Sequence, residues 1–471
     1  MLRFSADARM AKKKFSSVVG IDIGSQNIKV AEIASRGREY VINALGMAPT
    51  PDGLVDQNGV YDTDTIGAVV KDICAKSGVS VNNAVVSISG QAAILVRTLE
   101  VPKMNPAELK QHMEWEISRN QPFAELTVQS DYAAFDPTDP NAQNMDVVMA
   151  IAAQSAIDTI MGIGKKSGKQ VVAIDVEPLA VARALATEYG DLSNETVCVI
   201  DIGHKSTSIN VYKNGQLLLP RQVPTGGEAV TQAIAGALNV SVEEAESIKL
   251  SEGEIPASAG ADSFAGSSNP FMGGETQEFQ PYNPFAEEEP AAPAPEPDFA
   301  APGANEPENP FSVPADASAA SDDPYAAAPT FSPFEASAPT PGAFDENGMP
   351  IDPAEAAPAA VPIPAPAADV PTNRVYVAMA REIDEFVAEV RRSIDYFRSK
   401  GGDVDRVLLA GGGSKLKGLD SFIGRVLGVP CETLDPTKLA LTGKRLDMTM
   451  VEAHRPDFLI AIGNGLHIAF D

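Results

Sequence analysis

The stretch SVVGIDIGSQNIKVAEI, residues 17–33, alternates apolar with small or polar residues and breaks at Gly24. That is the pattern of two strands joined by a tight turn, where glycine permits a close backbone approach. A second copy, TVCVIDIGHKSTSINVY, occupies residues 196–212. The shared core Ile-Asp-Ile-Gly recurs after 179 residues, from Asp22 to Asp201 (201 − 22). An internal duplication follows, and with it two related halves. Each turn sets an aspartate at a strand end and exposes N–H groups around Gly24 and Ser25, or around Gly203 and His204. Two such turns facing one another would hold a polyphosphate, amides cradling its oxygens and carboxylates orienting a hydrated magnesium ion. One copy alone reads equally well as a hairpin with a capping aspartate; two copies favour a site.

Working outward, Pro106 to Arg119 has helical composition, with Leu109, Met113 and Ile117 on one face. Residues 147–160 and 171–185 each pass from a buried strand into a helix. Gly226 and Gly227 precede another helix, and Val242 to Leu250 reads as a further one with Glu246 and Lys249 one turn apart. Ile383, Phe386, Val387, Val390, Ile394 and Phe397 mark a long amphipathic helix. DRVLLAGGGSKLKGLDSFIGRVLG, residues 405–428, gives a strand, the glycines Gly411, Gly412 and Gly413, and a helix beginning near Ser414. FLIAIGNGL, residues 458–466, is a small-residue helix. This order defines an α/β architecture.

The three glycines leave room for a flat group such as adenine, while the helix start offers N–H groups to a phosphate. Glu177 ends a buried strand, the place for a carboxylate that polarises an attacking water; a carboxylate opening a helix before Pro178 accounts for it equally. Glu246 and Lys249 suit a ribose or adenine edge, or a surface ion pair. MGIGKKSGK, residues 161–169, lacks the spacing of a phosphate-binding Walker loop and reads as a solvated turn.

Charge is unevenly spread. The chain has 471 residues and a formal charge of −28; residues 251–370 hold 21 acidic residues, no Lys or Arg, and 23 of the 37 prolines. Such a tract cannot repay its ordering entropy and is expected to be disordered. Within it, NPF at 269–271, 283–285 and 309–311 and SPF at 332–334 are either weak multivalent anchors or compositional drift. The acidic balance argues against nucleic-acid binding. Cys74, Cys198 and Cys431 form no disulfide framework, and the four histidines form no zinc motif, so a reducing compartment is expected. No run of 18 apolar residues and no signal-peptide pattern occurs, so neither a membrane span nor export is expected.

Taken together, GIDIGSQNIKV, VIDIGHKSTS, LLAGGGSKLKGL and IAIGNGL resemble the phosphate-1, phosphate-2, adenosine and connect-2 motifs of the actin-like ATPase superfamily, a duplicated ribonuclease H-like fold. VPKMNPAELKQHMEWEISRNQPF, AIDVEPLAVARAL and REIDEFVAEVRRSIDYFRS resemble the PilM family of type IV pilus assembly proteins, relatives of the division protein FtsA. The resemblance implies ATP and Mg2+ as ligands, with Asp22 and Asp201 on the metal side. It implies phosphate contacts from Gly24, Ser25, Gln26, Gly203, His204 and Lys205, and nucleotide contacts from Glu246, Lys249, Gly411, Gly412 and Gly413. Glu177 falls where relatives keep a hydrolytic Gln or Glu.

The implied partner is the short cytoplasmic N-terminal peptide of a PilN-like inner-membrane protein, with pilus motor components beyond it. The protein would then be a cytoplasmic scaffold, peripheral to the inner membrane through its partner, at most a weak ATPase, with a homo-oligomer left open. An active ATPase, a small-molecule kinase or an FtsA-like division protein is the alternative; FtsA-like chains finish with a basic amphipathic helix, whereas here LHIAFD follows Gly465. The implied organisation is a leader (1–16), a first half (17–84 and 166–195) interrupted by a family-specific subdomain (85–165), and a second half (196–250 and 373–450). The acidic insertion (251–372) interrupts the second half, and a C-terminal helix (451–471) returns to the first.

Overall fold

The computed structural model describes residues 15–37, 39–122, 126–135, 141–188, 195–259, 373–439, 441–443 and 446–469. In the first half, β1 (Ser17–Ile23) and β2 (Asn27–Arg36) form the hairpin expected from the sequence, and β3 (Glu39–Pro49) extends it antiparallel. A short ribbon, β4 (Val55–Asp56) and β5 (Gly59–Val60), leads to α1 (Thr63–Lys76). Asp62 caps α1 by accepting from the Asp64 and Thr65 amides, which satisfies donors that the helix leaves free. Next, β6 (Asn83–Ile88) lies parallel to β1.

The chain then builds a separate three-stranded sheet from β7 (Ile94–Pro102), β8 (Val128–Phe135) and β9 (Asn144–Ala153), in the order β7-β9-β8. Between β7 and β8 runs α2 (Pro106–Arg119), opened by a capping box between Asn105 and Glu108. Its Leu109 and Met113 pack on Val101, Met145, Val147 and Met149, a core separate from that of the main sheet. Within residues 85–165, only β7, β8 and β9 form this separate sheet. β6 belongs to the main sheet, and α3 (Gln154–Ser167) packs beside α1.

Residues 161–167, expected in a turn, are the second half of α3, and Gly168 ends it in the left-handed conformation. Crowding explains the helical glycines. A Cβ at Gly162 would lie 2.6 Å from the Thr63 side chain, and one at Gly164 2.4 Å from that of Val171. Close packing, not a phosphate, selected them. After α3, β10 (Gln170–Val176) runs parallel to β6, and α4 (Glu177–Glu188) follows.

The second half repeats the plan. β11 (Thr196–Ile202), β12 (Thr207–Lys213) and β13 (Gln216–Val223) form an antiparallel meander, followed by α5 (Gly227–Leu238) and α6 (Val242–Glu252). Order continues past residue 250, where the acidic tract was expected to start. α6 runs to Glu252, Glu254 bridges to Lys417, and Ile255 and Ala259 are buried. Apolar Ile255 explains the difference, because it gives that stretch a core contact the acidic composition concealed. The rest of the proposed insertion, 260–372, with all its NPF and SPF motifs, lies outside the described residues, as does 1–14 of the leader.

From Arg374 to Ser399, α7 presents the anticipated stripe of Ile383, Phe386, Val387, Val390 and Ile394 to the core. β14 (Arg406–Ala410) pairs parallel with β11, and β15 (Cys431–Thr433) with β14. The glycine run opens a 3-10 helix, Gly412–Lys415; the expected helix, α8 (Leu419–Leu427), starts five residues after Ser414 (419 − 414). β16 (Leu441–Thr442) then joins the edge of the first sheet beside β3. That sheet has the order β10-β6-β1-β2-β3-β16, and the second has β13-β12-β11-β14-β15.

After α9 (Met448–His454) and a 3-10 turn (Arg455–Phe458), the small residues of α10 (Leu459–Gly465) pack against β1. Gly20 permits this approach, since a Cβ there would stand 2.0 Å from the Ala461 carbonyl oxygen. Asn464 fixes the register by donating to Ile21 O at 2.9 Å and Ser87 Oγ at 3.1 Å. Buried Asp175 pairs with Arg183, whose Nε donates to Gly463 O at 3.3 Å, so the C-terminal segment is tied to the first half.

Candidate functional site

The two duplicated turns open into one cleft of about 500 Å³. In the first, the Gly24 amide donates to Asn27 O at 3.2 Å; in the second, Gly203 donates to Ser206 O at 3.0 Å. Both glycines are obligatory: a Cβ would come within 2.8 Å of Asn27 O and 2.7 Å of Ser206 O. The turns are braced from outside. Thr50 holds the first through Gln26 O and Gly24 O, while the amides of Gly227 and Glu228, opening α5, hold Gly203 O and His204 O.

Of the candidate residues, Asp22, Gly24, Ser25, Gln26, Glu177, Asp201, Gly203, His204, Glu246, Lys249, Gly412 and Gly413 line this one cleft. Lys205 and Gly411 are not in its wall. Gly411 has a φ of +76°, and a Cβ on it would lie 2.3 Å from Asp201 Oδ1, so it serves to turn the chain beneath that carboxylate. Glu246 and Lys249 pair at 2.7 Å. Lys249 also donates to Thr231 Oγ1 and to Gly227 O, so the pair braces the start of α5 as well as facing the cleft. Burial alone would raise Glu246, but hydrogen bonds from Lys249 and Thr231 outweigh it and hold the carboxyl below its ordinary value.

Lys29 was not singled out from sequence. It stands opposite Asp22 in the ladder and pairs with it at 2.9 Å. Burial presses its ammonium toward neutrality, yet the charges of Asp22, Asp201 and Asp457 prevail and keep its pKa above the ordinary lysine value. Asp201 has Ser208 opposite instead. Burial, reinforced by Asp22 and Asp457, pushes its carboxyl up to about 7 despite the pull of Lys29. Glu177, opening α4, is pushed up to about 8 by burial and by the charges of Asp22 and Asp201. Sequence reasoning also passed over Lys415, His454 and Asp457, which complete the floor. Lys29 had a legible signal, since hairpin symmetry about the turn pairs it with Asp22; the other three come together only through the fold.

The crowded carboxyls are thus met partly by lysine and partly by protons held on Asp201 and Glu177. Among the described residues no three His, Cys, Asp or Glu side chains converge into a protein cage for a metal. That donor set fits a hydrated Mg2+, which keeps several waters and takes one or two carboxylates together with phosphate oxygens. Asp22 and Asp201 would be its protein-side partners.

Two duplicated α/β halves, each contributing an Asp-x-Gly hairpin to one cleft, define the actin-like class of protein. The family described as type IV pilus assembly protein PilM matches residues 20–271, 252 of the 471. This chain belongs to that family. The cell division protein FtsA family matches residues 198–463, reflecting the shared actin-like ancestry. Among solved structures, a PilM-PilN type IV pilus biogenesis complex is similar with a TM-score of 0.65 and 21% identity, over 97% of this chain and 99% of that one. The FtsA of Bacillus subtilis (strain 168) is 25% identical over 253 residues, 49% of this chain and 57% of its own. That of Neisseria meningitidis serogroup B (strain ATCC BAA-335 / MC58) is 25% identical over 254 residues, 50% and 60% respectively. The chain thus spans less than two thirds of these relatives' length. Among the described residues no helix is long and apolar enough to cross a membrane.

Proposed function

We propose that the protein is a nucleotide-binding scaffold of the type IV pilus assembly machinery, working in the cytoplasm and held at the inner membrane by a PilN-like partner. The observation that carries this reading is the convergence of both Asp-x-Gly turns and the glycine loop on one cleft, in a chain of the PilM family. Similarity to a PilM-PilN complex supports a partner of PilN type, and the FtsA-like reading is weaker because that family's match begins only at residue 198, beyond the extra subdomain.

The ligand is a nucleoside polyphosphate, ATP in the simplest case, with Mg2+ shielding its phosphate charge when bound. The amides around Ser25 and His204 face its oxygens, and Lys29 exchanges Asp22 for a phosphate. Asp22 and Asp201 would be the carboxylates that face the ion. Gly412 and Gly413 leave the backbone open to the adenosine end. Glu177 is placed to hold a water near the phosphates; with its carboxyl pushed up to about 8, it is a poor base until a cation enters, which suits slow turnover or none. An ATPase or kinase with rapid turnover has less support, since Glu177, the carboxyl at the position of a water-directing base, is held protonated near neutral pH.

Coupling to the partner would run through the two halves, because groups from both close on one ligand. Binding of the partner's N-terminal cytoplasmic peptide, followed by fluorescence anisotropy with and without ATP and Mg2+, tests this. A peptide affinity that changes about fivefold or more with nucleotide is expected. Absence of peptide binding together with fast phosphate release would replace the scaffold with an enzyme.

A further inference from the structure

A further cation–carboxylate pair lines the cleft, joining the glycine loop to the C-terminal segment. Lys415 closes the 3-10 helix that follows the glycine loop, and its Nζ lies 2.8 Å from Asp457 Oδ2. His454 Nδ1 is 2.8 Å from the same oxygen and 3.3 Å from Lys415 Nζ. All three line the cleft. The carboxylate rests against the glycine backbone, since a Cβ on Gly412 would lie 3.2 Å from Asp457 Oδ1. Its charge also acts on both Lys29 and Asp201, the groups opposite and within the duplicated turns. The cluster therefore sits within electrostatic reach of the phosphate turns and is not confined to the adenosine end.

We propose that Lys415 is a second phosphate-directed cation, held in readiness by Asp457 and His454, and that it sets the cleft's preference for nucleoside polyphosphates over ligands lacking phosphate. The assignment rests on the nucleotide reading above. Asp22 and Asp457 hold Lys29 and Lys415 in ion pairs, so a polyphosphate meets a cation there only if one of the lysines turns toward it. Lys29 could do so because Asp22 would then face the Mg2+ that accompanies the ligand. Lys415 can do so because Asp457 keeps a donor in His454, in the tautomer with hydrogen on Nδ1, and is not left as an orphaned buried charge. Lys415 is also the more exposed of the two, its side chain 28% exposed against 16% for Lys29. The plain alternative is a latch joining the second half to the C-terminal segment, with no dealings with ligand.

Calorimetry on the full chain with adenosine, ADP and ATP in Mg2+ separates these, using K415Q and K415R. The assignment predicts that K415Q weakens ADP and ATP by about tenfold or more, leaves adenosine within about twofold, and that K415R retains most of the affinity. Equal losses for adenosine and ATP would leave Lys415 a latch, and unchanged affinities would remove it from the site; either overturns the proposal. If the wild-type chain binds none of the three, the nucleotide reading falls first and takes this assignment with it. Should K415Q fail to fold, D457N decides: freeing Lys415 should leave ATP affinity within about twofold or higher relative to adenosine, whereas a latch would lose adenosine and ATP equally.

Discussion

The first hairpin and the second share the Ile-Asp-Ile-Gly core and the same antiparallel ladder, but different residues face their aspartates. Lys29 stands across from Asp22 and neutralises it; Ser208 stands across from Asp201 and does not. One half of the duplication supplies its own counter-ion, while the other waits for one from outside. A second asymmetry lies two residues earlier in each strand. Gly20 of β1 admits α10, whereas Val199 of β11 is a buried core side chain. Duplication thus provided two equivalent frames, and single residues divided the work: one frame anchors the C-terminal segment and carries a lysine, the other keeps an uncompensated carboxylate.

The most severe way to break the comparison is Gly20→Ala. Its Cβ would meet backbone, Ala461 O at 2.0 Å and Gly465 N at 2.4 Å, which cannot yield as a flexible side chain can. A loss above about 3 kcal/mol, or failure to fold, is expected by thermal denaturation, against about 2 kcal/mol for Val199→Ala. A variant as stable as wild type would mean that α10 does not lie against β1. Next comes Lys29→Met, which leaves Asp22 buried without a partner and costs about 3 kcal/mol in urea unfolding. Adding Asp22→Asn to it should recover part of that loss, because the pair acts as a unit.

Asp201 gives a smaller effect whose sign depends on pH. Its folded pKa, about 7, lies above the ordinary carboxylate value near ~4, so the folded state binds the proton more tightly than the unfolded one. The stabilisation is fully present below about pH 4 and is lost as pH rises through about 7. In EDTA, stability should fall over that window, and Asp201→Asn should flatten the profile. A profile identical in the variant would show that Asp201 is already neutralised. The smallest change is the most pointed: Ser208→Lys gives the second hairpin the pairing of the first. It should gain up to about 1 kcal/mol near pH 8 and lessen the need for Mg2+ in ligand binding.

Much of this was legible before the fold. Period-two alternation around each Asp-x-Gly turn fixed both hairpins, and the 3-and-4 spacing of Ile383, Phe386, Val387 and Val390 fixed α7, since those patterns record burial directly. Glycine misled where it served packing. Gly162 and Gly164 looked like a turn because sequence cannot distinguish conformational freedom from the absence of a side chain. Ile255 could not announce its burial from within an acidic tract. The floor of the cleft was half visible: Asp22, Asp201 and Glu177 stand in motifs, but Lys415 and Asp457, 42 residues apart, meet only when α10 returns to β1.

The central claim is that the two unequal hairpins make one nucleotide site that requires a cation. Titrating ATP into the full chain by calorimetry, in Mg2+ and again in EDTA, tests it most directly. The account predicts a single site whose affinity falls at least about tenfold without Mg2+. Binding of equal strength in EDTA, or none in either buffer, would contradict it.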